Sequence, residues 1–338
     1  MKISVIGWYG HNNTGDEAYK IAIPKIFPDD KISFAEVIDE RDDADLILLG
    51  GGDIVSDFFI REIKKVNKKK IAASVTIHKG SALSHLNLFE EINVRDIQSL
   101  AVAKNYVEEN KLHYLPDFTL SLVPNKSNGK RLIKKYFDNE NHTLLNKLII
   151  VNINSYLSHI KPSSERKGFT CFLKLAQDIA DLTDKTEASF LFIPFGTKPP
   201  DDDRVTNSFI NACCQKQNKN IVIYDRINVI DTLDIISAAD IVISSRLHCT
   251  IFSTIASVPF IDITHHDKNL GFIKTLNKIE WSIPFWNFEY QKCVNLINKF
   301  LFEDNKDNIE DLNNFTSKSR MQLLNFSERI KRDCLLVH

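Results

Sequence analysis

No stretch of the chain approaches the ~18 to 20 consecutive apolar residues that a membrane-spanning helix needs, so any contact with a bilayer is at most peripheral. A secretory leader is missing as well. The opening Met1-Lys2-Ile3-Ser4-Val5-Ile6-Gly7 lacks a basic region, apolar run and cleavage site in series and reads as a first strand, so the expectation is a cytoplasmic protein. Charge of one sign is absent too. With 43 Lys and Arg against 44 Asp and Glu, the formal net charge is -1, which sets up no field for nucleic acid or anionic lipid. Any anion must then be held by a local cluster. The six cysteines (Cys171, Cys213, Cys214, Cys249, Cys293, Cys334) show no C-x-x-C spacing, giving neither a zinc motif nor a disulfide framework and fitting a reducing compartment. Neither G-x-G-x-x-G nor a lysine-bearing phosphate loop occurs, so no dinucleotide or nucleoside triphosphate is supported.

What is present is an ordinary globular composition, 43% hydrophobic and 26% charged, over 338 residues. That length exceeds the ~250 to 300 residues at which single cores stop growing, so two domains are expected. Short runs of Ile, Val and Leu at 3–6, 32–38, 46–49, 71–77 and 112–115 read as strands with helices between them. The run 46–49 is apolar on both faces, as in a buried parallel strand. A polar stretch follows, with a short helix near 131–137, and the pattern restarts with strands at 148–153, 190–193, 221–224, 241–243 and 260–263. Helices are expected around 167–183, 203–217, 230–239 and 247–257. This predicts an α/β protein of two facing Rossmann-like, doubly wound domains, 1–125 and 147–285. A linker at 126–146 would join them, and amphipathic helices at 286–338 would pack across the junction. The site belongs in the cleft, at the carboxyl ends of strands from both halves.

Four constellations fall at such ends. Gly7-Trp8-Tyr9-Gly10-His11-Asn12-Asn13-Thr14-Gly15-Asp16-Glu17 follows the first strand, and its glycines and asparagines admit positive φ and close backbone approach to a ligand. It serves equally as a tight turn with Asp16 and Glu17 favouring the helix dipole. Gly50-Gly51-Gly52-Asp53 ends another strand, where Asp53 is suited to accept from a sugar hydroxyl or to cap a helix. Ser244-Ser245-Arg246-Leu247-His248 is the sharpest. Leu247, Ile251 and Ile255 form a buried stripe that starts a helix near Ser245, so Arg246 and His248 oppose the dipole of its first turn and need an offset. A bound phosphate or carboxylate would supply one; so would pairing of the arginine with a structural carboxylate beside a neutral core histidine. Fourth, Lys268 follows the next strand and can face the same cleft. The adjacent His265 and His266 lack a companion ligand set, and no metal is expected. Arg95, in Val94-Arg95-Asp96, adds charge or ties two loops together through an aspartate.

Together the 7–17 turn, Gly50-Gly51-Gly52-Asp53, Val94-Arg95-Asp96, Pro116-Asp117, Ser245-Arg246-Leu247-His248 and Lys268 resemble the polysaccharide pyruvyl transferase family, over about residues 3 to 280. The resemblance implies a fold similar to that of GT-B glycosyltransferases, with the acceptor on the N-terminal side and phosphoenolpyruvate on the C-terminal side. It implies transfer of a pyruvyl group to a sugar of a glycan or glycan precursor as a ketal, with release of phosphate and no cofactor. Carried onto this sequence, Arg246, His248 and Lys268 hold and activate phosphoenolpyruvate, with Thr14 near its phosphate. His248 is the expected acid and Asp16, or else Glu17, the base. Asn13, Thr14, Gly15, Glu17, Gly51, Gly52, Asp53, Arg95, Ser245, Leu247 and Lys268 are the expected substrate-binding group. Where the family has small residues after the histidine, this chain has Cys249, Thr250 and Ser253, which leaves acceptor geometry open. A nucleotide-sugar glycosyltransferase and a non-catalytic glycan-binding relative remain the alternatives.

Overall fold

The computed structural model describes residues 1–158 and 165–335. Its first sheet has six parallel strands: β1 (Lys2–Ile6), β2 (Lys31–Ala35), β3 (Leu46–Gly52), β4 (Lys69–Val75), β5 (Glu91–Val94) and β6 (Leu112–Tyr114), in the order β2-β1-β3-β4-β5-β6. Every residue of β3 is buried, as its two-sided apolar run requires. Helices α1 (Thr14–Ile26), α2 (Asp57–Lys64) and α3 (Ile97–Ala103) connect its strands.

The second sheet has β7 (Leu148–Asn152), β8 (Ser189–Phe192), β11 (Asn220–Val222), β12 (Ile241–Ser244), β13 (Phe260–Thr264) and β14 (Ser282–Pro284), in the order β11-β8-β7-β12-β13-β14. Between β8 and β11 a two-stranded hairpin is inserted, β9 (Thr197–Lys198) with β10 (Asp201–Asp202). Its helices are α5 (Glu165–Lys185), α6 (Asp203–Cys213), α7 (Val229–Ser237), α8 (Leu247–Ile255) and α9 (Asp267–Thr275). Strand order reverses between β1 and β3 in one sheet and between β7 and β12 in the other. These switch points are where open parallel sheets leave a crevice, and the turns at 7–13, 50–53 and 244–248 lie there.

Several stretches differ from the sequence reading, among them β14 and the β9–β10 hairpin, which fall outside the expected strands. Residues within 126–146, expected as a linker with a short helix, form α4 (Lys126–Asn139), which begins at an Asn125 cap and lies against α7. α4 buries Ile133 and Phe137, and at its first turns it meets α7 through backbone: a Cβ on Gly129 would stand 1.9 Å from the Asp234 carbonyl oxygen. Gly129→Ala should therefore force the two helices apart and destabilise the protein by about 1–3 kcal/mol, seen as a melting transition several degrees lower. Unchanged melting would contradict this packing. A further difference is α9, a helix that is absent from the expected set. Its Gly271 is there for close approach, since a Cβ on it would lie 2.5 Å from Asp96 Oδ1.

The C-terminal helices α10 (Tyr290–Phe302) and α11 (Lys306–Leu335) close the molecule. α11 spans both halves: Thr316 donates to the Thr254 carbonyl, Arg320 to the carbonyls of Leu120 and Leu122, and Arg329 pairs with Glu91. One apolar core continues from β1 and α1 through β7 and α8 to α11, and a second fills the far face of the first sheet. No helix among the described residues is long and apolar enough to cross a membrane, and their cysteines are all free.

Candidate active site

Backbone bonds sew the halves together beside the cleft. The Thr14 amide donates to the Phe195 carbonyl at 2.8 Å, and Asn13 makes a β-bridge with Gly196. The cleft itself is about 520 Å³. From the first half Asn13, Asp16, Gly52, Asp53 and Arg95 line it; from the second, Ser245, Arg246, Leu247, His248 and Lys268. Thr14, Gly15, Glu17 and Gly51 are not on its wall. Glu17 accepts from the Gly10 amide at 2.6 Å and from Lys20 at 3.1 Å, which makes it a strut of the turn and leaves Asp16, of these two, as the carboxylate that lines the cleft. Gly15 and Gly51 work from beneath. A Cβ on Gly15 would lie 2.1 Å from His248 Nδ1, and at Gly51 (φ +73°) one would lie 2.3 Å from the Tyr19 ring. These glycines let two rings pack onto bare backbone.

Those rings define a network that sequence reasoning missed. Tyr19 Oη donates to buried Asp117 at 2.7 Å and accepts from Arg95 Nη1 at 2.8 Å. With its one proton committed, the phenol can only accept from His248 Nε2, 3.1 Å away, across the junction of the halves. The neutral imidazole thus carries its proton on Nε2, and Nδ1, beside Gly15, is the nitrogen that gains or loses one. Arg95 also holds Thr76 and Asp117, tying the strand ends together. The available signal was spacing: Asp16 and Tyr19 stand three apart on α1 and share a face.

Electrostatics separates the three expected cations. Arg246 spends its guanidinium on Asp203, 2.7–3.2 Å away, and on Asp201 at 2.6 and 2.8 Å. Burial works against its charge, but the two aspartates outweigh that and raise its pKa. Its offset against the α8 dipole is thus the structural carboxylate pair. Asp203 is fully buried and also accepts from the Phe195 and Gly196 amides, whereas Asp201, on the hairpin, is 42% exposed. His248 is pushed down to about 3, chiefly by burial, with Arg95, Lys268 and Arg246 adding to the effect against the pull of Asp117. It is therefore a neutral ring at neutral pH, whereas the sequence reading expects it to titrate there.

Lys268 is different. It sits in the first turn of α9 with no carboxylate within 4.0 Å among the described residues, and burial, against the pull of Asp53, lowers its pKa. Asp16 is pushed up by burial to about 7, against the opposing pull of Lys268, Arg95 and Arg246. A carboxyl that exchanges its proton near neutrality therefore shares a cleft with an unpaired ammonium. The start of α8 lines the same cleft, and its N-cap Arg246 makes no side-chain capping bond, so the Leu247 and His248 amides are left for an anion. Asn269 Oδ1 and His265 Nδ1, of residues that line the same cleft, are buried without hydrogen-bond partners among the described residues. Asp53 accepts from His78 at 3.1 Å, but among the described residues no group of His, Cys, Asp or Glu is placed to share a metal ion.

Two facing parallel sheets with a cleft between their carboxyl ends form a GT-B-like fold, and solved structures agree. The UDP-GlcNAc 2-epimerase from Neisseria meningitidis bound to UDP-GlcNAc superposes with a TM-score of 0.62 at 12% identity, over 100% of both chains. S. aureus MnaA in its UDP co-structure gives 0.62 at 9% identity, over 97% of this chain and 94% of that one. The glycotransferase of kitacinnamycin gives 0.58 at 9%, over 98% of each. At such identities these likenesses carry the fold alone. The family comes from the sequence: the chain belongs to the polysaccharide pyruvyl transferase family, which it matches over residues 6–267, and is a transferase. No curated protein matches it significantly.

Proposed function

We propose that this protein transfers the pyruvyl group of phosphoenolpyruvate to two hydroxyls of a sugar in a glycan or glycan precursor, forming a ketal and releasing phosphate in the cytoplasm. The observation that carries the reading is that one cleft, lined also by the start of α8, holds Lys268, with no carboxylate within 4.0 Å among the described residues, and Asp16, whose carboxyl is pushed up to about 7. A small phosphorylated acid needs such an anion seat, and its enol needs proton transfer beside it. Lys268 and the first amides of α8 hold phosphate and carboxylate. Arg246, with its charge committed to two aspartates, fixes the loop that presents Ser245 and His248.

The donor's negative charge draws a proton onto His248 Nδ1, and that proton goes to the methylene carbon, making it a methyl. One sugar hydroxyl bonds to the resulting cationic carbon and gives its proton to Asp16. The second hydroxyl then closes the ring as the C–O bond to phosphate breaks. Over the cycle the two hydroxyl protons replace those taken by the methyl group and the departing phosphate.

The test is to incubate the protein with phosphoenolpyruvate and a panel of lipid-linked and simple glycosides, following inorganic phosphate and product mass, with nucleotide sugars supplied in parallel. Phosphate release matched by a pyruvylated glycoside is expected. Glycosyl transfer from a nucleotide sugar, without consumption of phosphoenolpyruvate, would overturn the reading in favour of a glycosyltransferase.

A further inference from the structure

The cleft also carries an aromatic surface that the pyruvyl-transfer chemistry does not use. Trp8, in the turn after β1, lines the cleft and is 43% exposed. One face of its indole is covered, because the His11 ring stacks on it at 3.7 Å and 9°. His11 is itself fixed through Nε2 to Glu36 at 3.0 Å. The turn beneath is braced by Glu17 on the Gly10 amide and by the Tyr9 hydroxyl on the Gly50 carbonyl, both at 2.6 Å. A large apolar ring is thus held in one orientation with its other side toward water. Leaving it exposed is unfavourable unless something covers it, and its rigidity means that little conformational entropy is lost when something does.

We propose that Trp8 is the platform on which the acceptor's hexopyranose ring lies, which rests on the pyruvyl-transfer reading of the cleft. The apolar C–H face of a pyranose suits an indole, while its hydroxyl edge needs acceptors. Asp53 lines the same cleft and keeps one carboxylate oxygen unengaged among the described residues. That carboxylate also disfavours the rival occupant, an anionic nucleotide stacked through its base. The sugar then lies between Trp8 and the donor seat at Lys268, which brings its hydroxyls toward Asp16.

Saturation-transfer NMR with methyl hexopyranosides on the full chain, with uridine diphosphate as a separate arm, tests this. Transfer to the ring C–H protons is expected, lost in Trp8→Ala and kept in Trp8→Phe. His11→Ala, which removes the backing, should weaken it. In turnover the Trp8→Ala variant should raise the acceptor KM about tenfold, with calorimetric affinity for phosphoenolpyruvate unchanged. Pyranoside binding that is absent in the wild type or unaltered in Trp8→Ala overturns the platform, as does transfer confined to uridine protons and lost with Trp8. Pyranoside binding at Trp8 without any phosphate release would instead sink the pyruvyl-transfer reading and leave a glycan-binding cleft.

Discussion

Replacing His248 by alanine should reduce phosphate release from phosphoenolpyruvate by about 10²–10⁴-fold, the range general acid catalysis supplies, while leaving the fold in place. The ring is held by Tyr19, edge-on with centroids 5.4 Å apart and bonded to its hydroxyl, and by close packing on Gly15. It borders the cleft, so truncation opens space that water can fill, and the melting transition should barely move. Steady-state phosphate release and a thermal melt on the same preparation separate the two effects. Near-normal turnover would remove His248 from the mechanism.

The second large effect concerns Asp16, where activity and stability should move in opposite directions. Burial raises its carboxyl to about 7, so the folded state holds this proton more tightly than the unfolded chain does. The sign follows: as pH rises from the ordinary aspartate value through about 7, the wild type loses stability, because folding then requires a buried charge. Asp16→Asn carries no such charge. It should match the wild type near pH 4 and become more stable above about pH 7, by about 2 kcal/mol, roughly half of what the shift implies for a group sealed from solvent. Turnover should fall by about 10²-fold or more, because an amide accepts no proton. The rise of wild-type activity as Asp16 ionises should disappear with it. Denaturant unfolding at several pH values together with the pH profile of turnover checks both halves, and a variant no more stable at high pH would contradict the burial of Asp16.

Sequence pattern was enough for the architecture because both sheets are built from apolar runs such as 46–49 and 148–153, which periodicity detects wherever a strand is buried. Element ends drifted by a few residues. The pattern missed the short strand β14, the helix α9 and the first turn of α4; beside the buried Ile133, Phe137, Phe272 and Ile273, the close approaches at Gly129 and Gly271 are made by backbone and leave no hydrophobic trace. The site was legible as far as the turns that hold it, since Asn13, Asp16, Asp53, Ser245, His248 and Lys268 do converge on one cleft. Their charge states were not. Whether Arg246 is free or neutralised depends on Asp201 and Asp203, more than forty positions away. Whether His248 titrates near neutrality depends on burial against Gly15 and Tyr19. Tyr19 itself gave no motif, only the helical spacing that places it one turn beyond Asp16.

The central claim is that one polyanion sits against Lys268, His248 and Asp16, and proton linkage reads this directly. Calorimetric titration of phosphoenolpyruvate at about pH 7.5, in buffers of differing ionisation enthalpy, keeps the donor's phosphate largely ionised, since its second pKa lies near 6. His248, held neutral by burial, should be drawn upward by the arriving charge, while Lys268 pulls Asp16 toward the ionised form that accepts the hydroxyl proton. The account predicts net proton uptake on binding, abolished together with most of the affinity in Lys268→Ala. Binding with no uptake, or with proton release, or with equal affinity in Lys268→Ala, would contradict it.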